Sequence, residues 1–166
     1  MDQDSRLQKL EEDVRRLSAR ESIWQLMARY AKAVDEEDDQ ELNAIFSEDA
    51  TCETVPWSQG KVFEGRASIV RLFNGYQRTF KNRKRFITNE IIDITGETSA
   101  TAWSNWLVVH AKDDESYIGW GCYDWGFICV ADTWLISSFV VRVERMTPLQ
   151  EGWAGSELLL KSFPGN

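Results

Sequence analysis

The order of periodicities along the chain limits its fold more than any other feature. Apolar residues recur at helical spacing over residues 5–34 and again over residues 66–79. Four long β segments follow, at residues 85–94, 99–112, 117–130 and 134–145, and short polar turns separate them. Consecutive strands joined by short turns pair antiparallel. Helices first and strands later therefore predict an α+β fold with three N-terminal helices on an antiparallel sheet.

The first predicted helix is long and amphipathic. Leu7, Leu10, Val14 and Leu17 alternate at spacings of three and four residues. We expect either one helix over residues 5–34 or a helix with a break. Its first part either packs against a partner subunit or folds over its own domain. An acidic turn at residues 36–39, a second helix with an apolar side that reaches Phe46, and a strand at residues 50–55 follow.

Length and aromatic content predict one domain with a large core. The 166 residues suit a single domain, with residues 1–20 as a helical extension and residues 146–166 as a tail. Eight tryptophans are many for this length, and aromatic side chains contribute strongly to burial in cores and ligand sites. Both an aromatic core and an aromatic-lined pocket fit this composition.

Charge and cysteine content argue against several function classes. Nineteen basic and 27 acidic residues give a net charge of −8, which disfavours nucleic acid as a partner. Three cysteines without paired spacing or histidine companions predict neither a metal site nor a disulfide framework. No apolar run is long enough for a membrane span, and residues 1–20 are too charged for a signal peptide. We expect a cytoplasmic protein that needs no cofactor.

Short motifs in a fixed order give the chain a family resemblance. They include Arg-Tyr-Ala-Lys-Ala-Val-Asp at residues 29–35, Ile-Phe-Ser-Glu-Asp-Ala at residues 45–50 and Phe-Glu-Gly-Arg at residues 63–66. Thr-Asn at residues 88–89 and Met-Thr-Pro-Leu at residues 146–149 continue the series. Over residues 21–153 the chain resembles the SnoaL-like, nuclear-transport-factor-like superfamily, which includes proteins similar to scytalone dehydratase and the bile-acid dehydratase.

The resemblance implies a cone-like α+β barrel in which a strongly curved sheet surrounds an apolar pocket. Members of the family include dehydratases, isomerases and non-catalytic binding modules, so fold does not give function. The resemblance also implies a homodimer or a homotrimer. We expect an apolar outer sheet face, which includes several of Trp103, Trp106, Trp120 and Val140, to form the interface.

Four residues are candidates for chemistry, by resemblance or by residue type. Tyr30 can donate to an oxygen that gains charge, and Asp35 can accept a proton; the alternatives are a core tyrosine and a residue of the helix-end turn. His110 is the only histidine, but it lies near a strand end, where exposed histidines are common. Arg85 stands roughly where dehydratase-like relatives carry a histidine, and because it stays protonated it can stabilise an oxyanion.

Seven further residues are candidates for substrate binding, and aromatic side chains dominate the set: Trp57, Phe73, Arg78, Asn105, Trp106, Tyr123 and Trp125. Trp125 stands where many relatives carry an aspartate, and Phe139 and Val140 stand where relatives often carry arginine. We therefore expect an unusually apolar pocket. Three functions remain open. The first is a cofactor-independent lyase, dehydratase or isomerase acting on an apolar, aromatic or polycyclic molecule. The second is a binding module or accessory subunit of the same fold. The third is a protein–protein adaptor, which would have a filled cavity and an exposed apolar sheet face.

Overall fold

A computed structural model describes residues 3–152 and shows three helices and a six-stranded sheet. The elements follow each other as α1 (Gln3–Glu36), α2 (Asp39–Ile45), β1 (Phe46–Val55), β2 (Val62–Glu64), α3 (Arg66–Thr79), β3 (Lys81–Ile94), β4 (Ser99–Lys112), β5 (Glu115–Val130) and β6 (Thr133–Pro148). Their order is that of an α+β protein, as the sequence predicts.

Helix α1 runs without a break, and its two halves have different surroundings. From Ile23 onward one face is buried, because its apolar residues pack on the sheet core. Residues 3–18 are exposed on all sides, so this part does not fold over its own domain. The acidic turn then starts α2, where the Asp38 side chain accepts a hydrogen bond of 2.9 Å from the Glu41 backbone N–H.

The sheet has the strand order β2-β1-β6-β5-β4-β3. Strands β3 to β6 form an antiparallel meander, as expected from their short turns. Strand β1 pairs parallel with β6, which local sequence patterns do not predict. The sheet is strongly curved but does not close, and the helices lie on its concave side. This arrangement is the cone-like α+β fold implied by the family resemblance.

Curvature comes from irregularities in the long strands. The register between β5 and β6 shifts at Trp120/Gly121 and at Gly126/Phe127, and such bulges bend a strand. A Cβ atom on Gly121 would lie 1.9 Å from the carbonyl oxygen of Arg142. Only glycine permits this close approach of β5 and β6.

Several element boundaries differ from the sequence expectations. Phe46 begins strand β1 instead of ending the second helix. Strand β3 begins at Lys81, before the predicted residue 85, and β6 reaches Pro148, into the predicted tail. The ends of these strands depend on how far each strand stays hydrogen-bonded to its neighbours. The local periodicity of the sequence does not indicate that length. Most of the predicted tail, from residue 153, lies outside the described residues.

The core lies between the concave sheet face and the helices. Even-numbered residues of β4 from Ala100 to His110 point into it, and odd-numbered residues point to the outer face. Trp103 and Val109 are therefore partly exposed, whereas Trp106 is buried and does not belong to the outer face. This corrects the expectation that Trp106 contributes to an outer interface. Within residues 3–152, none of the helices has the length and apolarity that a bilayer span requires.

Candidate functional site

A cavity of about 40 Å³ opens between the helices and the concave sheet face. One water molecule needs roughly 10–15 Å³ in this measure, so the cavity has room for about three waters or one small polar headgroup. Its lining comes from two helices, five strands and the loop after β1: Tyr30, Thr54, Trp57, Leu72, Phe73, Tyr76, Arg85, Trp106, Val108, Tyr123, Val141 and Met146.

Tyr30 lies on α1 at the centre of an aromatic cluster. Its ring centroid is 4.9 Å from that of Phe139 and 5.4 Å from that of Trp125, both in edge-on geometry. Burial raises the pKa of the Tyr30 hydroxyl well above its ordinary value. Tyr30 therefore stays protonated at neutral pH and acts as a hydrogen-bond donor.

Two further tyrosines bring hydroxyl groups to the same cavity. Burial raises the pKa of Tyr76 to about 12 and also raises the pKa of Tyr123. The positive charge of Arg85 and the neighbouring Tyr30 side chain partly oppose this rise in the pKa of Tyr123. Sequence reasoning named Tyr123 but missed Tyr76, although Tyr76 follows Phe73 at helical spacing on the apolar face of α3. The cavity thus contains three protonated phenols.

Arg85 lies on β3 with its guanidinium among these rings. The Cζ atom is 5.5 Å from the ring centroid of Tyr30 and 5.5 Å from that of Tyr76, a geometry that supports a cation over aromatic faces. Part of the residue is exposed, but its Nε and Nη1 atoms are buried and have no hydrogen-bond partner. The cavity therefore contains a positive charge with free donors.

Asp35 adjoins the cavity without lining it. Its Oδ2 atom accepts a hydrogen bond of 2.8 Å from the backbone N–H of Arg85, which joins the end of α1 to β3. Its Oδ1 atom is buried and has no hydrogen-bond partner. One carboxylate oxygen therefore fixes the backbone at Arg85, and the other is an unused hydrogen-bond acceptor.

His110 is buried, although the sequence favours an exposed position near the strand end. Its Nδ1 atom is 2.9 Å from the Tyr76 hydroxyl, and its ring stacks on Phe80 at 4.1 Å. Burial, together with the charges of Arg85 and Arg83, lowers the pKa of His110 to about 3. His110 is therefore neutral, a weak base, and reaches the cavity only through Tyr76.

Arg83, two residues before Arg85 on β3, is also buried. Its side chain is 3% exposed. Its guanidinium donates to the carbonyl oxygens of Gln77 at 3.0 Å and Asp35 at 3.2 Å, and also to the carbonyl oxygen of Phe80. It forms an ion pair of 2.8 Å with Glu37. Arg83 thus joins the C-terminal ends of α1 and α3. One feature of the sequence could have predicted that Arg83 is buried. It lies two residues before Arg85 in a strand and therefore shares its inward face.

Some of the other predicted binding residues line the cavity, and the rest do not. Trp57, Phe73 and Trp106 line the cavity. Trp125 packs behind Tyr30, and its Nε1 donates to the Ser104 hydroxyl at 3.0 Å. Arg78 is exposed on α3, and Asn105 points to the outer sheet face, so neither faces the cavity. Strand alternation explains Asn105, because its neighbour Trp106 takes the inward position.

Within the described residues, no group of three or more histidine, cysteine, aspartate or glutamate side chains is arranged to bind a metal ion. The hydroxyl and guanidinium groups of the cavity lining belong to Tyr30, Thr54, Tyr76, Arg85 and Tyr123. All of these groups can donate a hydrogen bond at neutral pH.

Several solved structures of other proteins have the same fold. A putative scytalone dehydratase from Novosphingobium aromaticivorans is 24% identical, with a TM-score of 0.74 over 81% of this chain and 90% of that chain. The hexachlorocyclohexane dehydrochlorinase LinA-type3 from Novosphingobium barchaimii is 19% identical, with a TM-score of 0.76 over 89% and 98%. A protein of unknown function from Mycobacterium tuberculosis is 24% identical, with a TM-score of 0.65 over 83% and 75%. These similarities establish the fold.

The sequence itself matches a family model. Residues 15–140, more than half of the chain, match the SnoaL-like domain. No protein of curated function matches the chain.

Proposed function

Because the chain belongs to the SnoaL-like family, we propose that it is a cofactor-independent lyase or isomerase that moves a proton on an apolar, aromatic small molecule. The observation that carries this proposal is the convergence of Tyr30, Tyr123 and Arg85 on one apolar cavity. Donors aimed at one place stabilise negative charge that develops on a substrate oxygen. A polycyclic substrate would need the lining side chains to move apart.

The proposed reaction begins with a C–H bond next to a carbonyl group. Asp35 accepts the proton on its free Oδ1, the electron pair of the C–H bond forms a C=C bond, and the π electron pair of the C=O bond moves to the oxygen, which becomes an enolate oxygen. Tyr30 and Arg85 stabilise that oxygen through a hydrogen bond and a positive charge. When the carbonyl re-forms, return of the proton from Asp35 to another carbon completes an isomerisation. In an elimination, the β-hydroxyl group takes the proton from Asp35 and leaves as water.

Variants at the two assigned residues test the proposal. The readout is solvent deuterium exchange, followed by NMR, on a panel of aryl ketones and β-hydroxy ketones. Tyr30→Phe and Asp35→Asn should each lower the exchange rate by on the order of a hundredfold or more. Tyr117→Phe is the matched control, because Tyr117 bonds Glu115 and does not line the cavity. Thermal unfolding of each variant measures folding separately.

If Tyr30→Phe and Asp35→Asn fold normally and keep near wild-type rates, the assignment of the site is wrong. If they lose activity only because they unfold, both residues are structural.

The second candidate function is a binding module without turnover. Its support is the absence of a carboxylate or histidine among the residues that line the cavity in the described part of the chain. A protein that binds members of the panel but exchanges none of their protons would favour this function.

A further inference from the structure

The Arg85 guanidinium is a buried charge without an anionic partner among residues 3–152. Its Nε and Nη1 atoms have no hydrogen-bond partner, and none of the ion pairs in this part of the chain includes Arg85. Burying a charge is costly unless it is paired and hydrogen-bonded. An anion bound beside the Arg85 guanidinium would therefore offset the free-energy cost of burying its charge.

The neighbouring buried arginine shows what a structural role looks like in this fold. Arg83 donates to three carbonyl oxygens and pairs with Glu37. These contacts tie two helix ends to β3. The Arg85 side chain makes no contact of this kind with a helix end and faces the cavity. Two arginines on the same side of one strand thus have different partners. In Arg83 only the Nε atom is unpartnered, whereas Arg85 has both Nε and Nη1 unpartnered and forms no ion pair in the described part of the chain.

Asp35 does not supply the missing anion directly. Its charge attracts Arg85, but its Oδ2 atom bonds to the backbone N–H of Arg85 and not to the guanidinium. The remaining Oδ1 atom has no partner at all. The two charges are therefore close, yet their side chains form no ion pair, which leaves the guanidinium open on its cavity side.

The polar groups around Arg85 favour a ligand that carries a negative charge. Tyr30 and Tyr123 stay protonated, so their hydroxyls can donate to an oxygen that enters the cavity, whereas the Tyr76 hydroxyl is hydrogen-bonded to His110. The rest of the lining is mainly apolar, with Leu72 and Val141 among its members. A cation and phenol donors at one end of an apolar cavity match an anionic oxygen on an apolar body.

We infer that the ligand of this cavity is an apolar monocarboxylate, with its carboxylate group on Arg85 and its hydrocarbon or aromatic part toward Leu72, Phe73 and Val141. The inference rests on the proposed function only in taking this cavity as the ligand site. One guanidinium balances one negative charge, and a cavity of about 40 Å³ has room for the headgroup. The apolar part extends toward the cavity opening.

Direct binding tests this inference without any turnover. Isothermal titration calorimetry compares benzoate with benzamide, a neutral molecule of the same shape, on wild-type protein and on Arg85→Met. Benzoate should bind at least about tenfold more tightly than benzamide, because a hydrogen bond to a charged group adds that much affinity. Arg85→Met should abolish the difference. Lys84→Met is the matched control, since it removes an exposed positive charge from the adjacent residue.

Each other outcome overturns the inference. Equal binding of benzoate and benzamide, no benzoate binding at millimolar concentration, or an unchanged preference in Arg85→Met would show that Arg85 does not select a carboxylate. Tighter binding of phenyl phosphate would identify a dianion instead. If Arg85→Met does not fold, Arg85→Gln removes the charge while keeping donors and similar length. Because no reaction is followed, this inference can fail while the proposed catalysis stands, and the converse also holds.

Discussion

At the scale of single residues, His110 links the cavity to the stability of the fold. Its ring is buried between Phe80 and Tyr76, and burial is the main reason that its pKa lies at about 3 instead of 6.5. The unfolded chain therefore binds a proton at a higher pH than the folded chain does. Acid must destabilise the fold over the interval between these two pKa values.

We expect stability to fall as the pH drops below about 6.5 and to keep falling toward pH 3. The contribution of His110 between pH 6.5 and pH 5 is roughly 2 kcal/mol. His110→Gln should flatten this part of the curve, because glutamine does not titrate. Urea unfolding at several pH values measures the effect. Parallel curves for the wild type and the variant would show that His110 titrates normally in the folded protein.

At the scale of secondary-structure elements, Arg83 holds two helix ends against one strand. It donates to the carbonyl oxygens of Asp35 in α1 and of Gln77 near the end of α3. Without it, these buried acceptors lose their partner and Glu37 loses its ion pair. Unmade hydrogen bonds in a buried position cost more than the bonds themselves contribute in solution.

We predict that Arg83→Met lowers the free energy of unfolding by about 3 kcal/mol. Lys84→Met is the control on the same strand, and because Lys84 is exposed it should change stability by no more than about 0.5 kcal/mol. Chemical denaturation of both variants makes the comparison. Similar stabilities for the two would mean that the contacts of Arg83 contribute little.

Sequence patterns were sufficient where an element depends on its own residues. Helix α3 and strand β4 have the bounds that the periodicity predicts, since each buries one regular face. The parallel pairing of β1 with β6 joins segments about ninety residues apart, and no local signal reports it. The different roles of Arg83 and Arg85 could not be predicted either. The sequence shows which residues of a strand share a face, but it does not show which carbonyl groups lie within hydrogen-bonding distance of each side chain.

At the scale of the whole molecule, the first half of α1 offers a surface for a second copy of the chain. Leu7, Leu10, Val14 and Leu17 are 56–66% exposed. Their spacing places them at the a and d positions of two heptads. Such an apolar stripe on a free helix usually marks an interface.

Charge complementarity favours a parallel pair of these helices. In that arrangement Arg6, at a g position, faces Glu11, at an e position, of the other copy. An antiparallel pair with the same apolar layers would place Glu11 opposite Glu11 and Asp13 opposite Asp13. Like charges at these positions oppose association.

We therefore expect a dimer whose mass falls to that of one 19.2 kDa chain in the double variant Leu10→Glu/Val14→Glu. Analytical ultracentrifugation over a range of concentrations is the measurement. Leu107→Glu, on the outer sheet face, is the comparison variant. Dissociation by Leu107→Glu alone would place the interface on the sheet, and a wild-type protein that is always monomeric would contradict both arrangements.

The alternation of Arg83 and Arg85 on β3 also has a consequence for how such a protein diversifies. The Arg83 side chain contacts the ends of two helices, whereas the Arg85 side chain lines the cavity. Mutations of residue 85 can then change which ligands the cavity binds while the fold is kept. In a library in which residue 85 is randomised and Arg83 is kept, most variants should fold. These variants should differ in the ligands that they bind.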